Sequence, residues 1–376
     1  MEVTDVDGVI VPPETPQMDP PEIPAAGPPE VKAKRRWRRR IGYSSLVLLV
    51  GGIIAVFTVH LDYFAFSPGG ATPSQNLVVV GAGVQSYPAK GQVRYTTVLV
   101  TSDRVNLYQW AEAKLDSDID LVESKYVLGT RSKAETDKED QQSMVESQNT
   151  AALVAMQRVG FIGQGVEILD FVKDAPSAKF LQVSDVITAI DGAPVQYFTD
   201  LFPLISKHTA GGDITVTVNR KGTSMTQTFP MFKVDNGNGT KRFIIGISAQ
   251  GTFNEKVGVK LQNVGGPSAG LAFTLSVIDV LTPGELTGGN SVATTGTIEK
   301  DGSVGEIGGI KQKTIAVKES GAVMFIVPAA EAAEAQKYAG SKLKIVGVKN
   351  LEEALAALGT IGGNVNDLPK ATPGGV

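Results

Sequence analysis

The sequence predicts a mixed α/β (α+β) protein of more than one domain, preceded by a single transmembrane helix. Three observations support this prediction. The chain has 376 residues, which is more than one ordinary domain holds. Strand patterns and helix patterns alternate between residues 240 and 360. Residues 41–61 contain no Asp, Glu, Lys or Arg, and this stretch is long enough to cross a bilayer.

The chain begins with an arm, residues 1–40, that we predict to be disordered and cytoplasmic with a basic end. Its first 30 residues hold many Pro, Glu and Asp but few large apolar groups, so they cannot bury enough surface to offset the entropy of ordering. Residues 32–40 read Lys-Ala-Lys-Arg-Arg-Trp-Arg-Arg-Arg. Such a run can bind nucleic acid. Because it directly precedes the apolar stretch, we interpret it as a membrane-flanking segment and predict no nucleic-acid partner.

Residues 41–64 are predicted to form the transmembrane helix of a single-pass protein of the cell membrane. Basic residues before a span favour a cytoplasmic N-terminus, which would leave the rest of the chain extracytoplasmic. A cleaved signal peptide is less favoured, because the apolar region is too long and Pro68 follows the small-residue site at Ala65. Three aromatic residues near the end of the span are interpreted as an interfacial belt: Tyr63, Phe64 and Phe66.

Residues 75–157 are predicted to contain two strands, a helix and a long helix. The strands are expected at residues 77–80 and 93–101, and the first helix at 105–115. Residues 132–156 are rich in Glu, Gln, Lys and Ala and contain no Gly or Pro, which predicts a long, mostly solvated helix. This helix could be a lid, an oligomer contact or a spacer, and the sequence leaves these alternatives open.

Residues 158–235 form a separate predicted module of short strands and helices. The prediction places strands at 165–168, 183–190 and 214–218, and a helix at 197–207. The remaining elements lie in a domain at 240–360, before a tail at 361–376 that we predict to be disordered. These elements are strands at 243–248, 257–261, 291–297, 323–327 and 343–348, and helices at 271–281, around 310–318, at 329–338 and at 350–358.

A candidate nucleophile lies at the start of the most apolar of these helices. Residues 265–270 read Gly-Gly-Pro-Ser-Ala-Gly, and the run 271–281 that follows is apolar almost throughout. This pattern predicts a buried helix that begins near Pro267, with the Ser268 hydroxyl at its N-terminus. Free amides and the helix dipole would stabilise an oxyanion there. The alternative is that Ser268 only caps the helix.

A nucleophilic Ser268 would need a base, and the composition restricts the choice. The Gly-x-Ser-x-Gly elbow of α/β-hydrolases requires a His further along the chain, but His60 and His208 both precede the serine. The chain has no Cys, which excludes thiol nucleophiles and cysteine zinc sites, and we predict no metal and no cofactor. A desolvated lysine is the known substitute for histidine.

Lys311 and Lys313 are the two candidates for this base. On a helix that begins near Gly309, Lys313 shares a face with apolar residues such as Val317, whereas Lys311 lies on the stripe that leads to Lys318. Burial disfavours the ammonium form and lowers the pKa of a lysine, which a general base at neutral pH requires. We therefore predict Lys313 as the base.

Four blocks fall in the order and spacing of the proteolytic domain of Lon proteases, which this chain resembles. They are Gly-Pro-Ser-Ala-Gly at 266–270, Thr-Gly-Thr-Ile at 295–298, Asp-Gly-Ser-Val at 301–304 and Ile-Gly-Gly-Ile-Lys-Gln-Lys at 307–313. The module at 158–235 resembles a PDZ domain. With the predicted span, the whole chain is similar to the membrane-anchored, Lon-like PDZ proteases of Gram-positive bacteria, of the actinobacterial type.

The resemblance implies a role for each residue of the candidate site. Ser268 is the implied nucleophile and Lys313 the implied base, whereas Thr295 would hydrogen-bond the lysine amine and orient it. The implied supporting residues adjoin the serine: Gly266, Pro267 and Ala269. Gly265 stands where Lon proteases usually carry an acidic residue, so a gating role of that carboxylate would be absent.

The PDZ resemblance implies binding of an extended peptide. Such domains add the peptide as a strand to a sheet edge, and loop amides hold its C-terminal carboxylate. By resemblance, the loop contains Phe161, Ile162 and Gly163. The alternative is that the module only spaces or gates the catalytic part. The resemblance further implies that the PDZ domain is inserted within the proteolytic domain, and that the chain forms a homo-oligomeric ring.

The function that the resemblance implies is a membrane-anchored serine endopeptidase with a Ser–Lys dyad. No Gly-x-x-x-x-Gly-Lys-Ser/Thr phosphate loop occurs in the sequence, so we expect activity without ATP. The expected substrates are unfolded or loosely folded exported proteins and peptides. The alternative function is a catalytically silent, PDZ-based peptide-binding sensor or scaffold at the cell surface.

Overall fold

The structure is a computed structural model that describes residues 30–235 and 241–368, with side chains from residue 43 onwards. It divides into two compact units, residues 1–56 and 57–376, and each is described by itself. Most of the predicted N-terminal arm and the second half of the predicted tail lie outside the described residues. The first half of that tail is described, and Leu368 is buried in the larger core.

The described secondary structure consists of helices, strands and a few short 3₁₀ turns. The helices are α1 (Glu30–Thr58), α2 (Leu107–Leu115), α3 (Ser124–Leu128), α4 (Lys133–Arg158), α5 (Leu201–Ile205), α6 (Gly270–Leu281), α7 (Ile310–Glu319), α8 (Ala332–Ala339) and α9 (Leu351–Gly359). The strands are β1 (Tyr63–Pro73), β2 (Val78–Val80), β3 (Gln92–Val100), β4 (Asp120–Glu123), β5 (Gly163–Phe171), β6 (Val186–Ile190), β7 (Ala193–Pro194), β8 (Asp213–Arg220), β9 (Thr223–Pro230), β10 (Phe232–Asp235), β11 (Lys241–Ile244), β12 (Ile247–Phe253), β13 (Val257–Val259), β14 (Ser291–Thr294), β15 (Thr297–Ile298), β16 (Val304–Gly305), β17 (Met324–Pro328) and β18 (Lys344–Val348).

The predicted membrane helix differs from the structure at its C-terminal end. Helix α1 ends at Thr58, whereas the prediction extended the helix to residue 64. Among residues 30–235 and 241–368, no helix is both long and apolar enough to cross a membrane. The interpretation of Tyr63, Phe64 and Phe66 as an aromatic belt is wrong. All three lie in β1, which pairs with β3 and β4, and Phe64 is only 1% exposed.

The larger sheet of the second unit combines strands from distant parts of the chain. Its order is β18-β17-β14-β3-β1-β4. The four strands β18, β17, β14 and β3 run parallel to one another, and β1 is antiparallel to both of its neighbours. Because β3 precedes residue 163 and β14 follows residue 253, the segment between them is inserted within one fold. An insertion of this kind is what the resemblance to Lon proteases implied.

The inserted segment forms the second sheet, in the order β12-β5-β6-β8-β9. Its core is a separate cluster of apolar side chains that includes Ile168, Ile187 and Phe229. The sheet extends beyond the predicted boundary at residue 235, because β12 pairs antiparallel with β5. A hairpin of β10 and β11 leads to β12. The predicted strand at 243–248 is therefore divided between this hairpin and the second sheet.

Helix α4 is less solvated than its composition predicted. It begins with a capping box, in which Ser132 and Glu135 satisfy each other's backbone amides. Its first half is exposed, but from Met144 onwards one face is buried against α6. Small residues such as Ala151 and Ala155 allow the two helices to approach closely, and both are fully buried.

Helix α6 lies at the centre of the larger core. Eleven of its twelve residues are buried, and its apolar side chains are covered by α4, β3, β13 and β14. A helix that is apolar on every side is stable in water only when it is enclosed in this way. Because α6 is enclosed in the core, it fixes the position of the residues just before it, including Ser268.

We expect Leu275→Ala in α6 to lower the free energy of unfolding by about 2–5 kcal/mol, because Leu275 is fully buried and the substitution leaves a cavity. The matched control is Leu115→Ala at the end of α2, where Leu115 is 90% exposed and the expected change is below about 0.5 kcal/mol. Urea unfolding followed by circular dichroism measures both values. Equal effects of the two substitutions would contradict the central position of α6.

Candidate active site

A tight turn before α6 carries Ser268, and helix α4 holds this turn in place. Gly266 has a φ of +85°, which an L-residue rarely adopts, and its N–H donates to the Asp140 carbonyl over 2.8 Å. The Ser147 hydroxyl donates to the Pro267 carbonyl over 3.0 Å. The middle of α4, from Asp140 to Ser147, thus supports the turn, a role that the sequence did not indicate.

The end of β14 anchors the serine from the other side. The Ser268 carbonyl accepts hydrogen bonds from the Thr295 hydroxyl, over 3.1 Å, and from the Gly296 N–H, over 2.9 Å. The N-cap of α6 is Ala269, and Ser268 makes no capping hydrogen bond. The helix therefore begins later than predicted, and the alternative that Ser268 only caps it is wrong. The Ser268 hydroxyl is left available for a different partner.

That partner is the amine of Lys313 on α7. Gly309, at a φ of +71°, turns the chain into this helix, and the Lys313 N–H donates to the Gly309 carbonyl. The Lys313 Nζ lies 2.9 Å from the Ser268 Oγ and 3.3 Å from the Thr295 Oγ1. The structure thus brings together the side chains of Ser268, Thr295 and Lys313. The serine and the lysine lie 45 positions apart in the chain.

The surroundings of Lys313 lower the basicity of its amine. The residue is only 3% exposed. Burial lowers the pKa of Lys313 to about 8, against a smaller opposing effect of the Glu331 carboxylate. An amine with a pKa of about 8 is half uncharged at that pH and partly uncharged at neutral pH, so it can accept a proton.

Lys311, the other candidate base, lies on a different face of α7. Its Nζ is 2.6 Å from the Asp120 Oδ1, and the neighbouring Gln312 amide donates to the other oxygen of the same carboxylate. Lys311 is thus paired with the Asp120 carboxylate, whereas Lys313 is the lysine whose amine contacts the Ser268 hydroxyl. The partners of the two lysines therefore favour Lys313 rather than Lys311 as the base.

An open cleft of about 750 Å³ contains Ser268 and Lys313. Its wall is mostly apolar, and two carboxylates, Asp140 and Glu306, also face it. Burial, followed by the nearby Asp137 carboxylate, raises the pKa of Asp140. The apolar lining residues include Phe66, Tyr95, Val98, Met144 and Val264.

Unpaired backbone groups that could hydrogen-bond to a substrate lie beside Ser268. Strand β14 pairs with β3 only as far as Tyr95, so the following residues of β3 present an unpaired backbone edge to the cleft among the described residues. The amides of Ser268 and Ala269 donate to no acceptor in the part of the chain that the structure describes. Free amides at the start of α6 can bind an oxyanion.

The predicted carboxylate loop of the PDZ module does not lie at a free sheet edge. Phe161 packs on the larger core, and its carbonyl accepts a hydrogen bond from the Tyr197 hydroxyl. Ile162 is exposed, and Gly163 begins β5, which lies between β12 and β6. The free edges of the described sheet are those of β12 and β9.

Strand β12 is an edge strand of this sheet that the sequence did not indicate. It is preceded by an apolar turn that contains Gly246 at a φ of +82°. The segment between β15 and β16 contacts this strand directly. Lys300, between β15 and β16, donates to the Ala249 carbonyl over 2.7 Å, and its ammonium lies 4.9 Å from the ring centroid of Phe198.

Two comparisons with known domains agree with this geometry. Residues 262–359 match the model of the Lon protease (S16) C-terminal proteolytic domain, and residues 127–229 match that of the PDZ domain. The chain therefore contains a Lon-type proteolytic domain and a PDZ domain. Among the described residues, no group of three or more His, Asp or Glu could hold a metal ion.

Similar curated proteins are Lon proteases. The chain is 39% identical over 93 residues to the Lon protease of Trichlorobacter lovleyi, and 33% identical over 93 residues to those of Neorickettsia sennetsu and Clostridioides difficile. Each match covers 24% of this chain but only 11–12% of the relative, so the chain matches about a tenth of the length of these proteins.

Solved structures similar to the chain include PDZ domains of SdrC-like proteins from Listeria. The domain from Listeria monocytogenes is 21% identical, covering 23% of this chain and 86% of the other, with a TM-score of 0.21. The domain from Listeria innocua is 22% identical, covering 23% and 93%, with the same TM-score of 0.21.

We expect Lys313→Met to raise the free energy of unfolding at pH 7 by about 3 kcal/mol, because the wild-type chain buries an ammonium whose pKa falls from 10.5 to about 8 on folding. Between these values the unfolded chain binds more protons, so wild-type stability increases with pH and the advantage of the variant shrinks to below about 1 kcal/mol at pH 10.

Urea unfolding at pH 7 and pH 10 measures this difference. Lys318→Met, on the exposed side of the same helix, is the control and should change stability by less than about 0.5 kcal/mol at both pH values. An advantage of Lys313→Met that is independent of pH would contradict the lowered pKa.

Proposed function

We propose that the chain is an ATP-independent serine endopeptidase in which Ser268 and Lys313 form the catalytic dyad. The observation that supports this most directly is the 2.9 Å contact between the Ser268 Oγ and a buried lysine amine of lowered pKa. A hydroxyl becomes a nucleophile when an adjacent uncharged base accepts its proton. Thr295, 3.3 Å from the amine, orients it.

The proposed reaction uses the amine twice. Lys313 takes the proton of Ser268 as the Oγ bonds to the peptide carbonyl carbon, and the resulting ammonium returns a proton to the leaving amine as the carbon–nitrogen bond breaks. Water then attacks the acyl-enzyme while Lys313 accepts its proton, and the Ser268 oxygen leaves as the hydroxyl. The free amides of Ser268 and Ala269 stabilise both tetrahedral oxyanions. Activity therefore requires the neutral amine and increases with pH through its pKa.

The proposed substrates are unfolded or loosely folded exported proteins, which would bind as extended segments. The open edge of β3 beside the cleft supports this, because a peptide can hydrogen-bond to it as an added strand. The 376 residues contain no phosphate loop that would couple cleavage to ATP. The cleft volume of about 750 Å³ suits a short extended segment of a substrate chain.

For the PDZ domain, we propose that a peptide adds to the free edge of β12 rather than to the loop at Phe161. The apolar turn before β12, with Gly246 in the left-handed region, resembles the kind of loop whose amides hold a terminal carboxylate. A homo-oligomeric ring that encloses the active sites is a further proposal, and it is supported only by the resemblance to Lon-type domains.

Membrane attachment through residues 41–61 also remains a proposal. It is supported by the sequence, in which nine mostly basic residues directly precede 21 residues without a formal charge at neutral pH. In this arrangement the N-terminus is cytoplasmic, and the proteolytic and PDZ domains face away from the cytoplasm.

We expect Ser268→Ala and Lys313→Met each to reduce the cleavage of fluorescently labelled casein by about three orders of magnitude or more, because either change removes one half of the proton transfer. Lys318→Met is the matched control and should cleave at the wild-type rate. Circular dichroism verifies that each variant is folded. Near-wild-type cleavage by either dyad variant would refute the proposal and favour a peptide-binding sensor or scaffold.

We expect the full chain, produced in a bacterium, to remain in the membrane pellet after an alkaline carbonate wash, because the apolar stretch would be embedded in lipid. A variant that lacks residues 1–58 should be soluble, since β1 and all later elements are retained. Immunoblotting of both fractions measures the distribution. Release of the full chain by the wash would contradict a membrane span.

A further inference from the structure

Glu331 is a half-buried carboxylate whose charge acts on Lys313 of the candidate site. It is the last residue of a 3₁₀ turn between β17 and α8. Its Oε1 accepts a hydrogen bond from the Ile307 N–H over 3.1 Å. Ile307 begins the three-residue loop that ends at Gly309, where α7 starts. Glu331 therefore holds the segment from which the helix that carries Lys313 begins.

The second oxygen of Glu331 has no protein partner. Its Oε2 is buried and forms no hydrogen bond within the part of the chain that the structure describes. Leaving a buried polar atom unsatisfied costs stability, and the cost is larger for a charged group. A neutral side chain could satisfy the Ile307 amide at lower cost, so the hydrogen bond alone does not account for a carboxylate at this position.

The charge of Glu331 acts on the dyad. The carboxylate raises the pKa of Lys313 and partly opposes the effect of burial. Burial raises the pKa of Glu331 itself, Glu306 raises it further, and the Lys313 amine lowers it. The carboxylates that line the cleft are Glu306 and Asp140, and Glu331 is not one of its lining residues.

The lysine amine is the group that gains charge during catalysis. Lys311, the nearest cation on α7, is already paired with Asp120. An ammonium that forms on Lys313 beside Ser268 is therefore opposed chiefly by burial and favoured chiefly by Glu331. A fixed opposite charge near a site of charge development stabilises that charge without reorganisation.

We infer that Glu331 is a positioning residue for Lys313: it holds the loop at residues 307–309 and stabilises the ammonium that forms when Lys313 accepts the Ser268 proton. This inference rests on the proposed serine peptidase function. Glu331 does not touch the serine or the substrate, and it acts through the lysine and through the loop that precedes it.

The test is the pH dependence of casein cleavage by Glu331→Gln. This variant keeps an oxygen that can accept the Ile307 N–H but removes the charge. Because the charge raises the pKa of Lys313, its loss should move the midpoint of the increase in activity to lower pH, by about one pH unit. The ammonium is then less stable, so the rate on the alkaline plateau should decrease by up to about tenfold.

Two further variants separate the effect of charge from the effect of structure. Glu334→Gln removes a carboxylate only three residues later, but Glu334 is exposed and paired with Lys337, so both the midpoint and the plateau should be unchanged. Glu331→Asp retains the charge on a shorter side chain and should restore the midpoint toward the wild-type value, although the loop contact is weakened.

The outcomes distinguish this inference from the proposed function. A folded Glu331→Gln variant whose midpoint is unchanged, or is shifted to higher pH, overturns the inference even if Ser268→Ala is inactive. An active Ser268→Ala variant overturns the proposed function itself. A shifted midpoint in Glu331→Gln with a normal midpoint in Glu334→Gln supports the inference.

Discussion

The burial of one amine is the interaction on which the candidate site depends. Lys313 is only 3% exposed, and this burial lowers its pKa to about 8 and leaves it able to accept a proton from Ser268. The enclosure has a stability cost of about 3 kcal/mol at neutral pH, since the unfolded chain can solvate the ammonium. Helix α6, buried along almost its entire length, is the kind of apolar element that offsets such a cost.

Three elements determine the distance between the two side chains. The serine turn is held by Asp140 and Ser147 of α4 on one side and by Thr295 at the end of β14 on the other. The position of Lys313 is determined by the start of α7. Glu331 accepts a hydrogen bond from the Ile307 N–H in the loop before that helix. Because each element is anchored by packing, the 2.9 Å contact does not depend on a flexible loop.

The pairing of Ser268 with Lys313 could be predicted from the sequence, because helical periodicity placed Lys313 on the apolar face, the chain has no cysteine, and both of its histidines precede the serine. Other features depend on long-range pairing that local patterns do not report. Tyr63, Phe64 and Phe66 follow an apolar run, so their strand was interpreted as part of a membrane interface. Strand β12 pairs with β5, from which it is separated in the chain by the rest of that sheet, and the buried half of α4 is covered by a helix more than a hundred residues later.

The PDZ domain is inserted between β3 and β14, so both of its ends are joined to the proteolytic domain. Helix α4 leads directly into β5 of the PDZ sheet and, in its preceding turns, supports the serine. From the other side, the segment that begins at Thr295 continues into β15 and the turn where Lys300 bonds to β12. The short segment from Thr295 to Lys300 therefore contacts both ends: Thr295 is hydrogen-bonded to Ser268 and Lys313, and Lys300 is hydrogen-bonded to β12. The edge strand of the PDZ sheet and the candidate active site are thus joined through hydrogen bonds of one short stretch of chain.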